Sequence, residues 1–405
     1  MSSIKIYLLI LVNTIIGLTS CQSVTSGQNT SITPPASTKD RQEVAEPKRK
    51  RQVQQTESIK QSPVRLTVKG SQIFTPEGKL IEWRGVNWGW WGSIQPQDGV
   101  ETAKMGANAV RLPFKWYFSG KKSDIRDSNA PGNISPEGLA LLDKYVDWCV
   151  QQKLWVILSA TSDEGAGDNA ENYWTNPALR KEFFETWAFL VQRYKNKPYI
   201  AAYEILNEPH PLRKKYATTK EVQKFYQEAI EVIRQYDSTT PLIVGPSDNY
   251  DLNQLPNIYI KNDKNLIYTF NYYEPSEYVK TNRREVKGLP LITYPGTFQN
   301  RQGETITLNK EYLARLLQPA VKFREQYNVP LFVNQVGVRS EAPGQLKYIA
   351  DVLALFDQYK IPYTYWTFKT EEDQSQQGLY WLDEKGNYQP KTELIELLKK
   401  SFSRR

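Results

Sequence analysis

The stretch that decides the fold reads IAAYEIL at residues 200–206, TKEVQKFYQEAIEVIRQY at 219–236 and LIVG at 242–245. The first and last segments are short and mostly apolar, which favours buried β-strands. Between them, apolar residues recur with the period of an amphipathic helix. A short strand, a helix and a second short strand form the repeating unit of a parallel sheet. This stretch therefore predicts a βαβ arrangement.

The same alternation continues in both directions along the chain. Further apolar runs predict strands at 81–86, 107–114, 154–160, 266–271, 329–336 and 363–368, and helical periodicity predicts helices at 135–151, 177–194, 310–327 and 342–358. Eight strand and helix alternations predict an α/β fold, a closed (β/α)₈ TIM barrel, preceded by a short β-hairpin at 66–78. An open doubly wound sheet is the alternative, but residues 85–89 (GVNWG) lack the dinucleotide-binding fingerprint.

The first 62 residues differ from the rest of the chain. A basic residue, the apolar run 6–18 and small residues predict a secretory signal at 1–20. The ending Leu18-Thr-Ser-Cys21 resembles the lipobox of bacterial lipoproteins, which implies lipidation of Cys21 and a secreted protein anchored to a bacterial membrane, in the periplasm or at the cell surface. A simple signal peptide is the alternative. Residues 21–62 are polar and predict a disordered tether, and 63–405 form the barrel domain.

Composition excludes several classes of protein and of site. The chain has 405 residues, 40% of them hydrophobic, with two cysteines and one histidine, so neither a disulfide framework nor a Cys/His zinc site is expected. Half of the net charge of +8 lies in residues 1–62, which hold the basic run Lys48–Arg51, so no nucleic-acid partner is predicted. No metal or other cofactor is expected, and the protein is expected to be a monomer.

Polar and aromatic residues cluster at the predicted strand ends, which is where barrel enzymes carry their sites. The strand ends read Asn87-Trp88, Arg111-Leu-Pro, Asn207-Glu208-Pro209, Asn271-Tyr-Tyr273, Asn334-Gln335 and Tyr365-Trp366. The order of Arg-Leu-Pro, Asn-Glu-Pro and a late aromatic-Trp resembles glycoside hydrolase family 5, the cellulase family. The resemblance covers residues 64 to 400.

The resemblance implies a role for each matching residue. Glu208 matches the acid/base, and Asn207 the residue that binds the sugar 2-hydroxyl. Arg111 would orient the nucleophile, Tyr273 would hold it, and Trp366 matches the platform under the reacting sugar. Family chemistry needs two carboxylates about 5 Å apart. The implied partner is an oligo- or polysaccharide with β-linkages.

Three positions depart from the family pattern. Gln335 stands where the family has its nucleophilic glutamate, so the site has a degenerate nucleophile. Asn271 and Thr161 stand where the family has histidines, and His210 matches no catalytic histidine. We therefore expect glycan binding with impaired hydrolysis, a pseudoenzyme. The alternatives are an active cellulase-like or mannanase-like hydrolase with a relocated carboxylate, drawn from Asp163, Glu164 and Asp168, and a non-catalytic surface scaffold.

The tryptophans after the first strand and the second cysteine are also assigned from the sequence. Trp88, Trp90 and Trp91 are candidates either for the barrel core or for a sugar-stacking wall, and Trp88 is counted among the substrate-binding candidates. Cys149 is expected to be a buried apolar residue.

Overall fold

The computed structural model describes residues 65–89, 93–117, 125–162, 173–212, 215–279, 291–300, 302–371 and 377–404. A hairpin of β1 (Thr67–Lys69) and β2 (Gln72–Phe74) precedes the barrel. The barrel strands are β3 (Arg84–Asn87), β4 (Ala109–Tyr117), β5 (Trp155–Ser162), β6 (Ile200–Glu204), β7 (Leu242–Val244), β8 (Leu266–Tyr272), β11 (Leu331–Val336) and β12 (Tyr363–Tyr365). They are parallel, and β12 pairs with β3 to close the barrel. The predicted (β/α)₈ fold is confirmed.

Helices connect most of the barrel strands. They are α1 (Pro96–Lys104), α2 (Pro136–Gln151), α3 (Pro177–Tyr194), α4 (Thr219–Arg234), α5 (Lys310–Tyr327), α6 (Gln345–Tyr359) and α7 (Thr392–Phe402). Shorter elements are 3₁₀ turns at Pro131–Asn133 and Leu252–Ile258, single turns at Ser247–Tyr250 and Ser276–Val279, and two hairpins, β9 (Gly296–Gln299) with β10 (Thr305–Leu308) and β13 (Tyr380–Leu382) with β14 (Tyr388–Pro390). None of the helices in the described ranges is long and apolar enough to cross a membrane.

Local sequence sets where the helices begin. The Ser135 hydroxyl accepts a hydrogen bond from the Gly138 amide at 3.1 Å, and Pro136 follows as the first helical residue of α2. Thr218 and Glu221 form a capping box at the start of α4. These caps satisfy amides that lack partners within the helix.

Side chains on the barrel strands alternate between the barrel interior and the helix layer. On β4, Val110 and Leu112 belong to the large hydrophobic cluster shared with the helices, whereas Ala109 belongs to a separate cluster with Trp83 and Phe332. The Trp83 and Phe332 rings meet edge to face, with centroids 5.4 Å apart. The same alternation turns Arg111 inward, to the polar layer described below.

The N-terminal hairpin packs at the amino ends of the barrel strands. Leu66 and Ile73 join the same cluster as Trp83, and the Val68 amide donates to Asn265 Oδ1 at 3.2 Å, one residue before β8 begins. The candidate site residues lie at or just after the carboxyl ends of the strands, so the candidate site is at the opposite end of the barrel.

Candidate active site

A buried ion pair lies inside the barrel below the strand ends. Arg111 on β4 donates from Nε to Glu204 Oε2 at 2.6 Å and from Nη2 to Glu204 Oε1 at 2.7 Å, and both side chains are completely buried. Burial alone would lower the pKa of Arg111, but the Glu204 carboxylate raises it above its ordinary value. The guanidinium thus stays charged, and Glu204 neutralises it.

Neighbouring groups hold this pair in place. Arg111 also donates to Asn87 Oδ1 and to the Ser159 hydroxyl, both at 2.9 Å. The Tyr250 hydroxyl lies 3.1 Å from Glu204 Oε1, and Asn334 Nδ2 donates to the same oxygen at 3.3 Å. A pair with this many partners forms a rigid polar floor under the site.

Gln335 lies above this polar floor, and both polar atoms of its side-chain amide form hydrogen bonds. Its Oε1 accepts from the Tyr273 hydroxyl at 2.9 Å, and its Nε2 donates to Asn207 Oδ1 at 3.3 Å. Asn207 Oδ1 also accepts from Arg111 Nη2 at 2.6 Å. Burial, with a smaller effect from the Glu208 carboxylate, raises the pKa of Tyr273 well above its usual value, so the phenol remains a donor. Gln335 itself is only 6% exposed.

Glu208 is half-buried and is held by Asn271. Asn271 Nδ2 donates to Glu208 Oε1 and, at 3.0 Å, to the main-chain carbonyl of Asn249. Asn271 Oδ1 accepts no hydrogen bond within the described part of the chain. Asn271 therefore contacts the acid/base candidate directly.

The Trp366 ring lies over Gly89. A methyl group placed on Gly89 Cα would come within 2.5 Å of Trp366 Cη2, so only glycine leaves room for the ring. The Trp366 amide donates to the Val336 carbonyl at 2.9 Å, which ties the ring to the strand that carries Gln335. Trp366 is partly exposed, and its peptide bond to Thr367 is cis.

Several residues around Glu208 have left-handed backbones. The φ of Glu208 is 47°, and Asp248, Asn249 and Tyr250 follow one another at 60°, 62° and 59°. Such angles cost residues other than Gly, Asn and Asp about 1–2 kcal/mol each, so the strain falls mainly on Glu208 and Tyr250. The Asn249 amide donates to the Pro209 carbonyl at 3.3 Å, which connects this turn to the segment that carries Glu208.

The structure brings most of the predicted site residues together, with one correction. Trp88 is fully buried, packs edge to face on Tyr145 at 6.3 Å and donates to Thr102 at 3.4 Å, so it belongs to the core and not to a sugar-facing wall. Arg111 donates to Glu204 and to Asn207 Oδ1, which also accepts from Gln335 Nε2, so Arg111 reaches position 335 through Asn207.

The remaining predicted residues are either away from the polar cluster or outside the described ranges. Cys149 is buried, as predicted, and burial raises the pKa of its thiol well above the usual value. Thr161 Oγ1 has no hydrogen-bond partner among the described residues. Cys21, Trp90, Trp91 and the acidic residues Asp163, Glu164 and Asp168 lie outside the described residues.

Glu204 was missed by the sequence reasoning. It is a carboxylate within an otherwise apolar run, four residues before Glu208, and a buried charge of that kind must find a partner. That signal could have identified it. In the described ranges, no group of three or more His, Cys, Asp or Glu side chains could hold a metal ion.

A (β/α)₈ barrel with an acid, amides and a tryptophan ring at its strand ends has the architecture of carbohydrate-active barrel proteins. The family model for cellulase, glycosyl hydrolase family 5, matches residues 74–372. The chain therefore belongs to glycoside hydrolase family 5.

Its curated relatives include endoglucanases. The chain is 26% identical over 308 residues to Endoglucanase C of Acetivibrio thermocellus, covering 68% of this chain and 84% of the relative. Among solved structures, Cel5A of Thermotoga maritima in complex with mannotriose has a TM-score of 0.62 at 20% identity, with 78% of this chain and 97% of that chain covered. The cellulose synthase subunit Z of Clostridioides difficile has a TM-score of 0.61 at 21% identity, with coverage of 78% and 99%. At these identities the structures establish the fold alone.

Proposed function

We propose that the cleft binds a β-linked glycan and that the protein hydrolyses it poorly, because Gln335 occupies the nucleophile position. The observation that carries this proposal is the polarity of the hydrogen bonds at Gln335. One atom accepts from Tyr273 and the other donates to Asn207. An amide can do both, whereas a carboxylate can only accept. The surroundings suit the amide, which argues for an established change of the site.

The chemical consequence follows from the missing charge. In retaining hydrolysis, one carboxyl group protonates the leaving oxygen and a carboxylate attacks the anomeric carbon. A neutral amide is a weak nucleophile and gives little electrostatic stabilisation to the positive charge that develops on the sugar ring. Removing the nucleophile of a serine protease costs on the order of 10⁶ in turnover, or about 8 kcal/mol, which sets the scale of the expected defect.

Features that would bind a sugar are retained. Trp366 offers a partly exposed ring at the strand ends, and aromatic faces suit the apolar faces of pyranose rings. Glu208 keeps its carboxylate, and the Oδ1 of Asn271 beside it is buried with no hydrogen-bond donor among the described residues. The relatives named endoglucanase and the Cel5A complex with mannotriose suggest cello-oligosaccharides and manno-oligosaccharides as the first ligands to test.

The decisive experiment compares binding with hydrolysis in the same samples. Purified wild type should bind cellotetraose or mannotetraose by calorimetry with a Kd between about 1 μM and 1 mM, and reducing-end assays should show negligible turnover. Gln335→Glu should gain measurable hydrolysis with retained anomeric configuration. The gain should be partial, because Asn271 and Thr161 stand where the family has histidines.

Two controls identify the source of any activity. Gln335→Asp introduces the same charge on a shorter side chain and should gain less than Gln335→Glu. Adding Glu208→Gln should abolish whatever activity Gln335→Glu confers. Efficient wild-type turnover would refute impaired hydrolysis. If Asp163→Asn, Glu164→Gln or Asp168→Asn then removed that turnover, the base would have moved to the loop after β5.

We also propose that Cys21 is the lipidated N-terminus of the mature protein and anchors it to a bacterial membrane. The motif Leu18-Thr-Ser-Cys21 after an apolar run supports this. Mass spectrometry of the mature N-terminus tests it, and an N-terminus without acyl groups would refute it.

A further inference from the structure

A second groove lies beside the catalytic end of the barrel. It has a volume of about 870 Å³ and is lined by three segments: residues 340–346, the β13–β14 hairpin and the start of α7. The first segment follows β11, which carries Gln335, and the hairpin follows β12 and Trp366. We call it the Trp381 groove. It is separate from the residues of the candidate active site.

Strand alternation turns Trp381 into this groove. Trp381 pairs with Gln389 across the hairpin, and both line the groove. Their neighbours Tyr380 and Tyr388 face the barrel instead: the Tyr380 ring packs on Phe368 with centroids 5.0 Å apart, and the Tyr388 ring lies 4.6 Å from the ammonium of the buried Lys369. Successive strand residues point to opposite faces. The partly exposed Trp381 ring is therefore not needed to attach the hairpin to the barrel.

Polar groups line the same groove. Gln389 Nε2 donates to Asp383 Oδ2 at 2.9 Å, and Glu341 is exposed at the rim. Gln345 Oε1 is buried in the groove wall and accepts no hydrogen bond from any described residue. A tryptophan face bordered by amide and carboxylate acceptors has the chemistry that binds the apolar face and the hydroxyl groups of a neutral sugar.

Charge disfavours other macromolecules in this groove. Its lining holds three carboxylates, those of Glu341, Asp383 and Glu393, against one ammonium, that of Lys391. Nucleic acids and anionic lipid surfaces are held by excess positive charge, which this lining does not supply. Eight of its twelve lining residues are polar or charged, so the groove lacks the continuous hydrophobic surface on which an apolar helix docks.

We propose that the Trp381 groove is an accessory glycan-binding site, in which a sugar ring of a neutral polysaccharide stacks on Trp381. The class of ligand in this proposal rests on the proposed function. The new element is a second site, which binds the glycan but takes no part in hydrolysis. Because both sites lie at the same end of the barrel, a long chain engaged at both should bind more tightly than a short one.

The test uses the full-length protein with two probes, a soluble high-molar-mass β-glucan and cellotriose. Trp381→Ala should weaken binding to the polymer about tenfold and leave cellotriose binding unchanged. Trp366→Ala should weaken the binding of both probes. Glu384→Ala, an exposed change in the same hairpin but outside the groove, is the matched control and should have no effect.

A second variant separates ligand binding from folding. Gln345→Ala removes an oxygen that has no partner in the described structure, so the unfolding temperature should stay unchanged while polymer affinity falls severalfold. Polymer binding that depends on Trp366 but not on Trp381 or Gln345 would overturn the groove and leave the proposed cleft intact. Polymer binding that depends on Trp381 and Gln345 but not on Trp366 would support the accessory site and overturn glycan binding in the cleft. No binding by wild type would overturn both.

Discussion

The polar floor of the site makes a quantitative prediction about placing a carboxylate at position 335. Arg111 Nη2 lies 2.6 Å from Asn207 Oδ1, which lies 3.3 Å from Gln335 Nε2, so the guanidinium and the side chain at position 335 are no more than about 6 Å apart. At that distance and an effective dielectric constant of about 20, two unit charges interact by roughly 3 kcal/mol. In the native chain, Glu204 already neutralises that guanidinium.

Gln335→Glu should therefore destabilise the protein. The new carboxylate would be buried, would face Asn207 Oδ1 in place of a donor, and would gain little net attraction from the Arg111–Glu204 pair. We expect a loss of about 2–4 kcal/mol in the free energy of unfolding at pH 7. Burial raises the pKa of such a group above its unfolded value of about 4.3, so the loss is largest above the folded-state pKa and should shrink as the pH is lowered toward 4.

The matched variant is Glu204→Gln, which leaves Arg111 buried without its counter-charge and should cost about 3–5 kcal/mol alone. Combined with Gln335→Glu, it moves the negative charge from below Arg111 to position 335. The double variant should then be more stable than the sum of the two single changes by about 2–3 kcal/mol. Urea unfolding of the four proteins measures this coupling. Additivity within about 0.5 kcal/mol would show that Arg111 does not act on position 335.

Four other changes test the Trp366 platform, a structural carboxylate and the lipid anchor. Trp366→Ala should weaken oligosaccharide binding by about 1–3 kcal/mol in calorimetry, and Gly89→Ala, which displaces the ring, should weaken it in the same direction; undiminished affinity in both would exclude stacking there. Burial alone would raise the pKa of Asp237, but hydrogen bonds from Thr240 and from backbone amides lower it below its ordinary value. Asp237→Asn should therefore cost about 1–2 kcal/mol at pH 7 and progressively less as the pH falls below about 4, and a loss independent of pH in urea unfolding would contradict this. Cys21→Ser should move the protein from the membrane fraction to the soluble fraction, and continued sedimentation with membranes would refute lipid anchoring.

The sequence was sufficient for the barrel because its evidence is local and repeated. Helical periodicity placed α3 and α5 at the residues where the structure has them, and each strand appeared as a short apolar run between helices. The positions of Asn207, Glu208 and Gln335 followed from the rule that barrel sites lie at strand ends.

Side-chain direction at the strand ends could not be predicted in the same way. Asn87 points into the barrel, where its Nδ2 donates to the Asn334 carbonyl at 2.9 Å, so the next residue, Trp88, turns outward toward Tyr145. Both faces of a barrel strand are buried, so apolarity does not distinguish them. The Arg111–Glu204 pair joins residues 93 positions apart, and such long-range partners appear only once the strands are in register.

The left-handed residues around Glu208 bear on how firmly the acid position is held. Glu208 and Tyr250 have φ values of 47° and 59°, which strain residues other than Gly, Asn and Asp, so contacts with the rest of the barrel must hold them there. The Asn249 carbonyl accepts from Asn271 Nδ2, which also donates to Glu208 Oε1. The turn at 248–250 and the acid position are therefore one mechanical unit, and a change that displaces the turn would displace the Glu208 carboxylate with it.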